Sequence, residues 1–464
     1  MRRAALAFGP FTLLAGAIFA CESDPNGGGG PSFELDSSAP SFDGGQQPFD
    51  SSTTPEASPD APSGPRTVTV TVTGRTGPVA NVRVVFNDAA GAVLETKLTD
   101  ASGKAKSTGA LPAMATALFA KGWQHELVTW TGLEDGDELT VREPDPDLEL
   151  GQYDVTLPGP FDNTDLMRYS AYAGGCYGSV DGTSSIIDLY SGCAGGDKTS
   201  VLVWAIDPDN QIAGHSFKKG NAIPASGVTT ALTTSAWTAP TSVTVTATNT
   251  PADQQLEVNL LEIADGHGYE DGYSHWLENG STVFKTATGF ADALQSTIAW
   301  YGGFGSRLAI TKRLAPGPSI TFDASEALPP ITGGEIVEGS GPRRPVIQWT
   351  SPSTAAADGG LVRMQLWDQE DNRYAWTFVV PPGSTKVTAP AMPPEAGEFL
   401  PDVDADRDWV YPTIGFLEAD SIQGYKAFRA MQGTLAPAGN SLTYNLPALP
   451  TNGTYRMTSW ELAL

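Results

Sequence analysis

From Thr67 to Val72 the chain reads Thr-Val-Thr-Val-Thr-Val, a strict alternation of polar and apolar side chains. Successive side chains of an extended strand point to opposite faces, so this segment can bury its valines together only as a β-strand. The same alternation returns over Ser242–Thr248, and apolar runs of strand length recur along the chain. Around them lie 51 glycines and 36 prolines, residues that break short strands with turns. The pattern predicts an all-β protein of several consecutive β-sandwich modules. With 464 residues the chain is too long for one ordinary domain, and about two to four are expected.

Turn signals divide the chain into blocks. In residues 66–147, strands are expected over Thr67–Val72, Asn81–Phe86 and Val93–Thr99, and near Ala115–Phe119. Gly77-Pro78-Val79-x-Asn81-Val82, then Thr99-Asp100-x-x-Gly103 and Gly122-Trp123, resemble the carboxypeptidase regulatory-like domains, small transthyretin-type β-sandwiches. The resemblance spans about 67–143. It implies a structural or adhesive module and carries no catalytic residues over. In residues 148–316, Gln152–Leu157, Ser200–Ile206 and Ser242–Thr248 read as strands, whereas Phe290, Leu294, Ile298 and Tyr301 fall at helical spacing and predict one helix. In residues 317–464, Pro345–Trp349, Leu361–Trp367 and Tyr374–Val380 read as strands, with a hairpin turn over Asp368–Asn372. Their order resembles an immunoglobulin- or fibronectin-like sandwich. No internal repeat aligns the blocks.

The N-terminus adds a second constraint. Arg2 and Arg3 precede an apolar stretch, Ala4–Ala17, that is too short to span a bilayer, and small Ala20 precedes Cys21. Ile18-Phe19-Ala20-Cys21 resembles the lipobox of bacterial lipoproteins. That resemblance implies cleavage of a signal peptide, residues 1–20, and acyl chains on Cys21 that make the membrane a partner through a lipid anchor. An ordinary secretory peptide with an incidental cysteine is the alternative. Glu22 rather than Asp follows the cysteine. By analogy with lipoprotein sorting, this directs the protein to the outer membrane, lipid-anchored and facing the periplasm or the cell surface. Residues 21–65 are rich in Gly, Ser, Pro and Asp and contain no Lys or Arg. Such a composition buries too little apolar surface to offset chain entropy, so it predicts a disordered tether.

The formal net charge of −26 repels phosphate backbones, which excludes nucleic acid as a partner. Besides Cys21 the chain has two cysteines, Cys176 and Cys193. In an oxidising compartment they are expected to form a disulfide, two free buried thiols being the alternative.

Few residues point to chemistry. Asp402, Asp404, Asp406 and Asp408 alternate, so an extended chain puts four carboxylates on one face, a set of hard oxygen ligands suited to Ca²⁺. An EF-hand loop needs Gly at position six and Glu at twelve, where this chain has Arg407 and Thr413. A solvated acidic loop is the competing reading, and no other cofactor is implied. Asp265, His267, Glu270, Asp271 and His275 could hold a transition metal, yet their spacing matches no closed zinc pattern and also suits a polar surface loop. The remaining histidines are His125 and His215, and the chain has no G-x-S-x-G elbow and no P-loop. Trp349, Trp367 and Trp376 lie in strand segments and read as core, whereas Trp300-Tyr301 and Trp409 sit beside Gly or Asp loops and could form a platform for sugar rings. These features together predict a non-catalytic binding, adhesive or scaffolding role at the cell envelope, with a protein or carbohydrate ligand. An extracytoplasmic hydrolase with its site in the second or third block is the alternative, because a catalytic triad is defined by geometry rather than by residue order.

Overall fold

The computed structural model describes residues 67–461 apart from 75–76, 145–147, 162–167, 195, 210, 253, 270–274, 278–279, 303–304, 338–342, 352–353, 369–371, 402–409 and 432–451. The fold is all-β, as the alternation predicts, and its strands assemble into four sandwiches.

The first sandwich holds β1 (Thr69–Gly74), β2 (Gly77–Pro78), β3 (Arg83–Asn87), β4 (Val93–Leu98), β5 (Lys104–Lys106), β6 (Met114–Lys121), β7 (Gln124–Thr131) and β8 (Glu138–Arg142). Here β1 pairs antiparallel with β5 and parallel with β8, and these strands cover the sheet β4-β3-β6-β7. The Thr–Val alternation behaves as expected. Val68, Val70 and Val72 are fully buried against Phe86, Trp130 and Leu139. Each such side chain contributes roughly 1.5–3 kcal/mol through burial.

The second sandwich holds β9 (Glu149–Thr156), β10 (Arg168–Ala173), β11 (Cys176–Asp181), β12 (Ser184–Tyr190), β13 (Lys198–Ile206), β14 (Ile212–Ala222) and β15 (Thr229–Thr233). The third holds β16 (Thr241–Thr248), β17 (Glu257–Ala264), β18 (His267–Tyr269), β19 (His275–Trp276), β20 (Ser281–Thr286), β21 (Ala293–Tyr301), β22 (Ser306–Leu314) and β23 (Ser319–Asp323). Both repeat the connectivity of the first. The opening strand, β9 or β16, pairs antiparallel with β12 or β20 and parallel with β15 or β23. The next strand, β10 or β17, lies between its hairpin partner, β11 or β18, and β13 or β21, which pairs on to β14 or β22. Residues 149–323 thus contain two copies of one strand arrangement, and the second runs past residue 316 to β23.

The fourth sandwich holds β24 (Gly333–Ile336), β25 (Val346–Thr350), β26 (Gly359–Trp367), β27 (Arg373–Val380), β28 (Lys386–Thr388), β29 (Val410–Ala419), α1 (Gly424–Ala430) and β30 (Gly453–Glu461). Its sheets are β24-β25-β28 and β27-β26-β29-β30.

The sandwiches share strands' edges. A sheet edge presents unpaired N–H and C=O groups that must be covered or paired. Edge strand β7 of the first sandwich pairs parallel with β27, and edge strand β22 of the third pairs antiparallel with β30. The fourth sandwich, last in sequence, therefore lies between the first and third, and one sheet of thirteen strands runs through all three. Its two faces are covered from opposite sides. Val84, Ala117 and Val128 pack toward β1 and β8, while Val85, Leu118 and Leu127 pack toward the core of Trp376, Phe378 and Ile347.

The helix expected over Phe290–Tyr301 is absent. Ala293–Tyr301 is strand β21, paired on both sides by β17 and β22 and buried on both faces. Leu294 and Ile298 are four residues apart, a spacing that shares one face of a strand as well as one face of a helix.

Candidate functional site

Cys21, the tether and Asp402, Asp404, Asp406 and Asp408 lie outside the described residues, as does Trp409. Cys176 and Cys193 form a disulfide with Cα atoms 5.0 Å apart. It ties the start of β11 to the loop after β12, where Gly175 N donates to Cys193 O at 2.8 Å. Gly174 has φ +62°, and a Cβ there would collide with the Cys193 carbonyl and come within 3.3 Å of the His267 ring. The disulfide loop is thereby pressed against the third sandwich.

The His and carboxylate cluster does not converge. Asp265 and Gly266 form the two-residue turn between β17 and β18, both with positive φ, as a tight hairpin turn requires. His267 stands opposite Ala264 and His275 opposite Val258, six residues apart on β17, which is roughly 20 Å along a strand. His275 packs edge-on against Phe284, with centroids 4.6 Å apart. Glu270 and Asp271 are outside the described residues.

Instead, Asp265 joins two sandwiches. Its Oδ2 accepts from Ser200 Oγ at 2.5 Å and from Gly220 N at 3.1 Å. Tyr269 OH donates to Ser200 O at 2.7 Å and accepts from Ser200 N at 3.1 Å. Burial, with the nearby Asp265 charge adding to it, pushes the Tyr269 phenol up to about 12 despite these hydrogen bonds. Leu202, Trp204, Phe290 and Ala287 close the apolar part of the same joint.

A second polar joint links the first and fourth sandwiches. Arg429 on α1 donates from Nη2 to the buried Asp137 carboxylate at 2.7 Å and from Nη1 to Gly132 O at 2.5 Å. Its guanidinium lies 5.0 Å from the Tyr425 ring, and the single Tyr425 OH proton is shared between Thr131 O at 2.8 Å and Val379 O at 2.9 Å. Asp358 holds the start of α1 by accepting from Gly424 N and Ala419 N, each at 2.9 Å.

His125 stacks on Tyr374 with centroids 4.6 Å apart. His215 is fully buried between Trp204 and Phe217. Burial lowers both imidazole pKa values, against the Asp368 and Glu398 charges at His125 and the Thr288 backbone at His215. An imidazole kept neutral by the fold but free to protonate when unfolded makes stability fall as pH drops below about 6.5. We expect stability to decline through pH 6 toward 5, by up to about 1.4 kcal/mol per pH unit for each such histidine. His215→Phe, which keeps a ring between Trp204 and Phe217, should flatten part of that slope. Urea midpoints measured at each pH would show it, and an unchanged slope would contradict the assignment.

Trp349 and Trp376 are core residues, as expected. Trp300 is not the expected platform: it is 4% exposed and packs inside the third sandwich. The adjacent Tyr301, at the end of β21, is 56% exposed.

A cleft of about 850 Å³ opens beside β24, between Gly333–Glu335, Gln348 and Lys386 on one side and Trp460–Glu461 on the other. Gly334 allows the close approach: a Cβ there would stand 2.5 Å from Ile414 Cδ1 and 2.8 Å from the Trp460 ring. Gln348 Nε2 donates to Glu335 Oε1 at 2.5 Å across the wall. With carboxylates, an ammonium and a glycine-exposed backbone at its rim, the cleft suits a polar, extended ligand.

No family model matches the chain, and no curated protein matches it. Among solved structures the chain is similar to the Bacillus anthracis TIE protein, at 11% identity and a TM-score of 0.16, over 56% of this chain and 50% of that one. It is also similar to the native conformation of E. coli alpha-2-macroglobulin, at 10% identity and a TM-score of 0.10, over 82% of this chain and 26% of that one. The chain thus spans half the length of the first and about a quarter of the second.

Proposed function

We propose that the chain is an exported, lipid-anchored scaffold of the cell envelope whose β-sandwich array has a non-catalytic binding role toward a protein or carbohydrate. The observation that carries this reading is the use made of buried polar groups. Ser200, Asp265, Tyr269, Asp137 and Arg429 each fasten one sandwich to another. Together with the strand pairings β7–β27 and β22–β30, they make consecutive sandwiches into one stiff body. Such a body presents the cleft beside β24 in a fixed orientation, which lowers the entropic cost of binding. The connectivity shared by the first three sandwiches supports a transthyretin-type reading of the first, and the two-sheet order of the fourth supports a fibronectin-like one. The lipobox resemblance at Ile18–Cys21 supplies the anchor, and residues 21–65 supply the spacer.

Cys21→Ser tests the anchoring. The variant is expected to move from the membrane fraction to the soluble fraction with its unfolding midpoint unchanged. A variant that stays in membranes and still incorporates labelled palmitate would overturn the proposal.

A further inference from the structure

One face of the thirteen-stranded sheet carries charge where a sheet centre ordinarily carries none. By register, Glu126 on β7, Arg373 and Thr377 on β27, Arg363 and Gln365 on β26 and Thr413 on β29 share this face. It is the face opposite Trp376, Met364 and Val362, which pack into the fourth sandwich. Arg363 is 4% exposed, and Gln365, Thr377 and Thr413 are buried with it.

The partners on hand do not satisfy these cations. A guanidinium has five N–H donors in a rigid fork and no acceptor. Glu126 lies 3.6 Å from Arg363 Nη2, beyond hydrogen-bond range, and its side chain is a quarter exposed. Arg373 Nε donates to Gln365 Oε1 at 3.0 Å. Among the described residues, Arg363 Nε and Arg373 Nη2 are buried and meet no acceptor. Burial lowers the Arg363 pKa, and the neighbouring positive charge of Arg373 lowers it further, while Glu126 opposes both. Among the described residues, Glu126 is the carboxylate that pairs with Arg363, at 3.6 Å. Burying an unpaired charge costs several kcal/mol, so such groups are ordinarily paired. Water can accept the hydrogen bonds, but it cannot supply a second negative charge to match the two cations among the described residues.

We propose that Arg363 and Arg373 form an oxyanion-binding site that takes a single carboxylate or phosphate group, with Glu126 marking its open side. Each arginine turns its unpartnered nitrogen to one oxygen of the ligand, the fork geometry for which guanidinium is suited. The carboxylate of Glu126 sets a limit on ligand charge, since a bulky polyanion would meet it at the mouth. The chain's formal charge of −26 keeps free anions away from most of its surface, which leaves this site as a local exception.

The test titrates inorganic phosphate and, separately, acetate into the full chain while sodium chloride keeps ionic strength constant. Constant ionic strength matters because screening alone relieves the repulsion of an acidic protein. Binding to the folded state raises the unfolding midpoint with a saturating dependence on ligand concentration. At least one anion is expected to raise the midpoint above the chloride reference, and which one does so identifies the oxyanion class. Arg363→Gln and Arg373→Gln should each weaken apparent affinity by about tenfold or more, through loss of charge-assisted hydrogen bonds. Arg373 is half-buried at the start of β27, so its variant serves if Arg363→Gln fails to fold. Midpoints that follow the chloride reference with both anions would overturn the proposal, as would an undiminished response in Arg373→Gln.

Discussion

Arg429→Ala is expected to destabilise the folded body by about 3–5 kcal/mol, because it leaves the buried Asp137 carboxylate facing, among the described residues, the more distant and exposed Lys426 ammonium at 3.9 Å. Both side chains of the pair are almost fully buried, and Asp137 otherwise accepts from the Glu134 backbone N–H at 2.7 Å. The variant also removes the hydrogen bond to Gly132 O and the cation over Tyr425. A surface ion pair in the same place would be worth only about 0–1 kcal/mol. The two cases are therefore separable by the urea midpoint. Replacing both partners with apolar residues, Arg429→Met with Asp137→Leu, should restore much of the loss, since it removes the charge together with its counter-charge. A change below about 1 kcal/mol in Arg429→Ala would show that this joint holds nothing together.

Removing the disulfide is the second large effect. Cys176 and Cys193 are 17 residues apart, and closing a loop of that length stabilises by about 3 kcal/mol through restriction of the unfolded chain. The Cys176→Ser, Cys193→Ser double variant is expected to lose that amount. Because the Gly174–Cys193 loop rests against His267, the loss should extend to the joint between the second and third sandwiches. Calorimetry of wild type with and without reductant gives the same comparison without mutation. Identical unfolding in both conditions would contradict the estimate.

Much of the architecture is legible in local pattern. The Thr–Val alternation before Gly74, the strands over Ser200–Ile206 and Leu361–Trp367, and the pairing of Cys176 with Cys193 follow from period, turn residues and cysteine count. What is hidden is which strand neighbours which. A repeated connectivity needs only apolar residues at alternate positions, and many sequences supply these, so three copies of one arrangement leave no alignable repeat. The edge pairings β7–β27 and β22–β30 are invisible for the same reason. Strand β21 reads as a helix because Leu294 and Ile298, four residues apart, share a face in either structure. The charged residues that matter most escape notice for a different reason. Arg429 and Asp137 are 292 residues apart, and Arg363 lies alone in an apolar strand. A single arginine carries no signal until the fold brings a partner to it, or leaves it without one.

Sandwiches held in one stiff body by a shared sheet keep fixed distances from one another, and a distance measurement tests this directly. Spin labels at exposed Ala120 on β6 and Tyr301 on β21 sit in the first and third sandwiches, with the fourth between them. The path crosses seven strand spacings, roughly 34 Å across the sheet at about 4.8 Å each. Pulsed dipolar spectroscopy on the full chain should give a single narrow distance, unchanged by salt. A broad or multi-peaked distribution, as independent sandwiches on loose linkers would produce, would contradict the account.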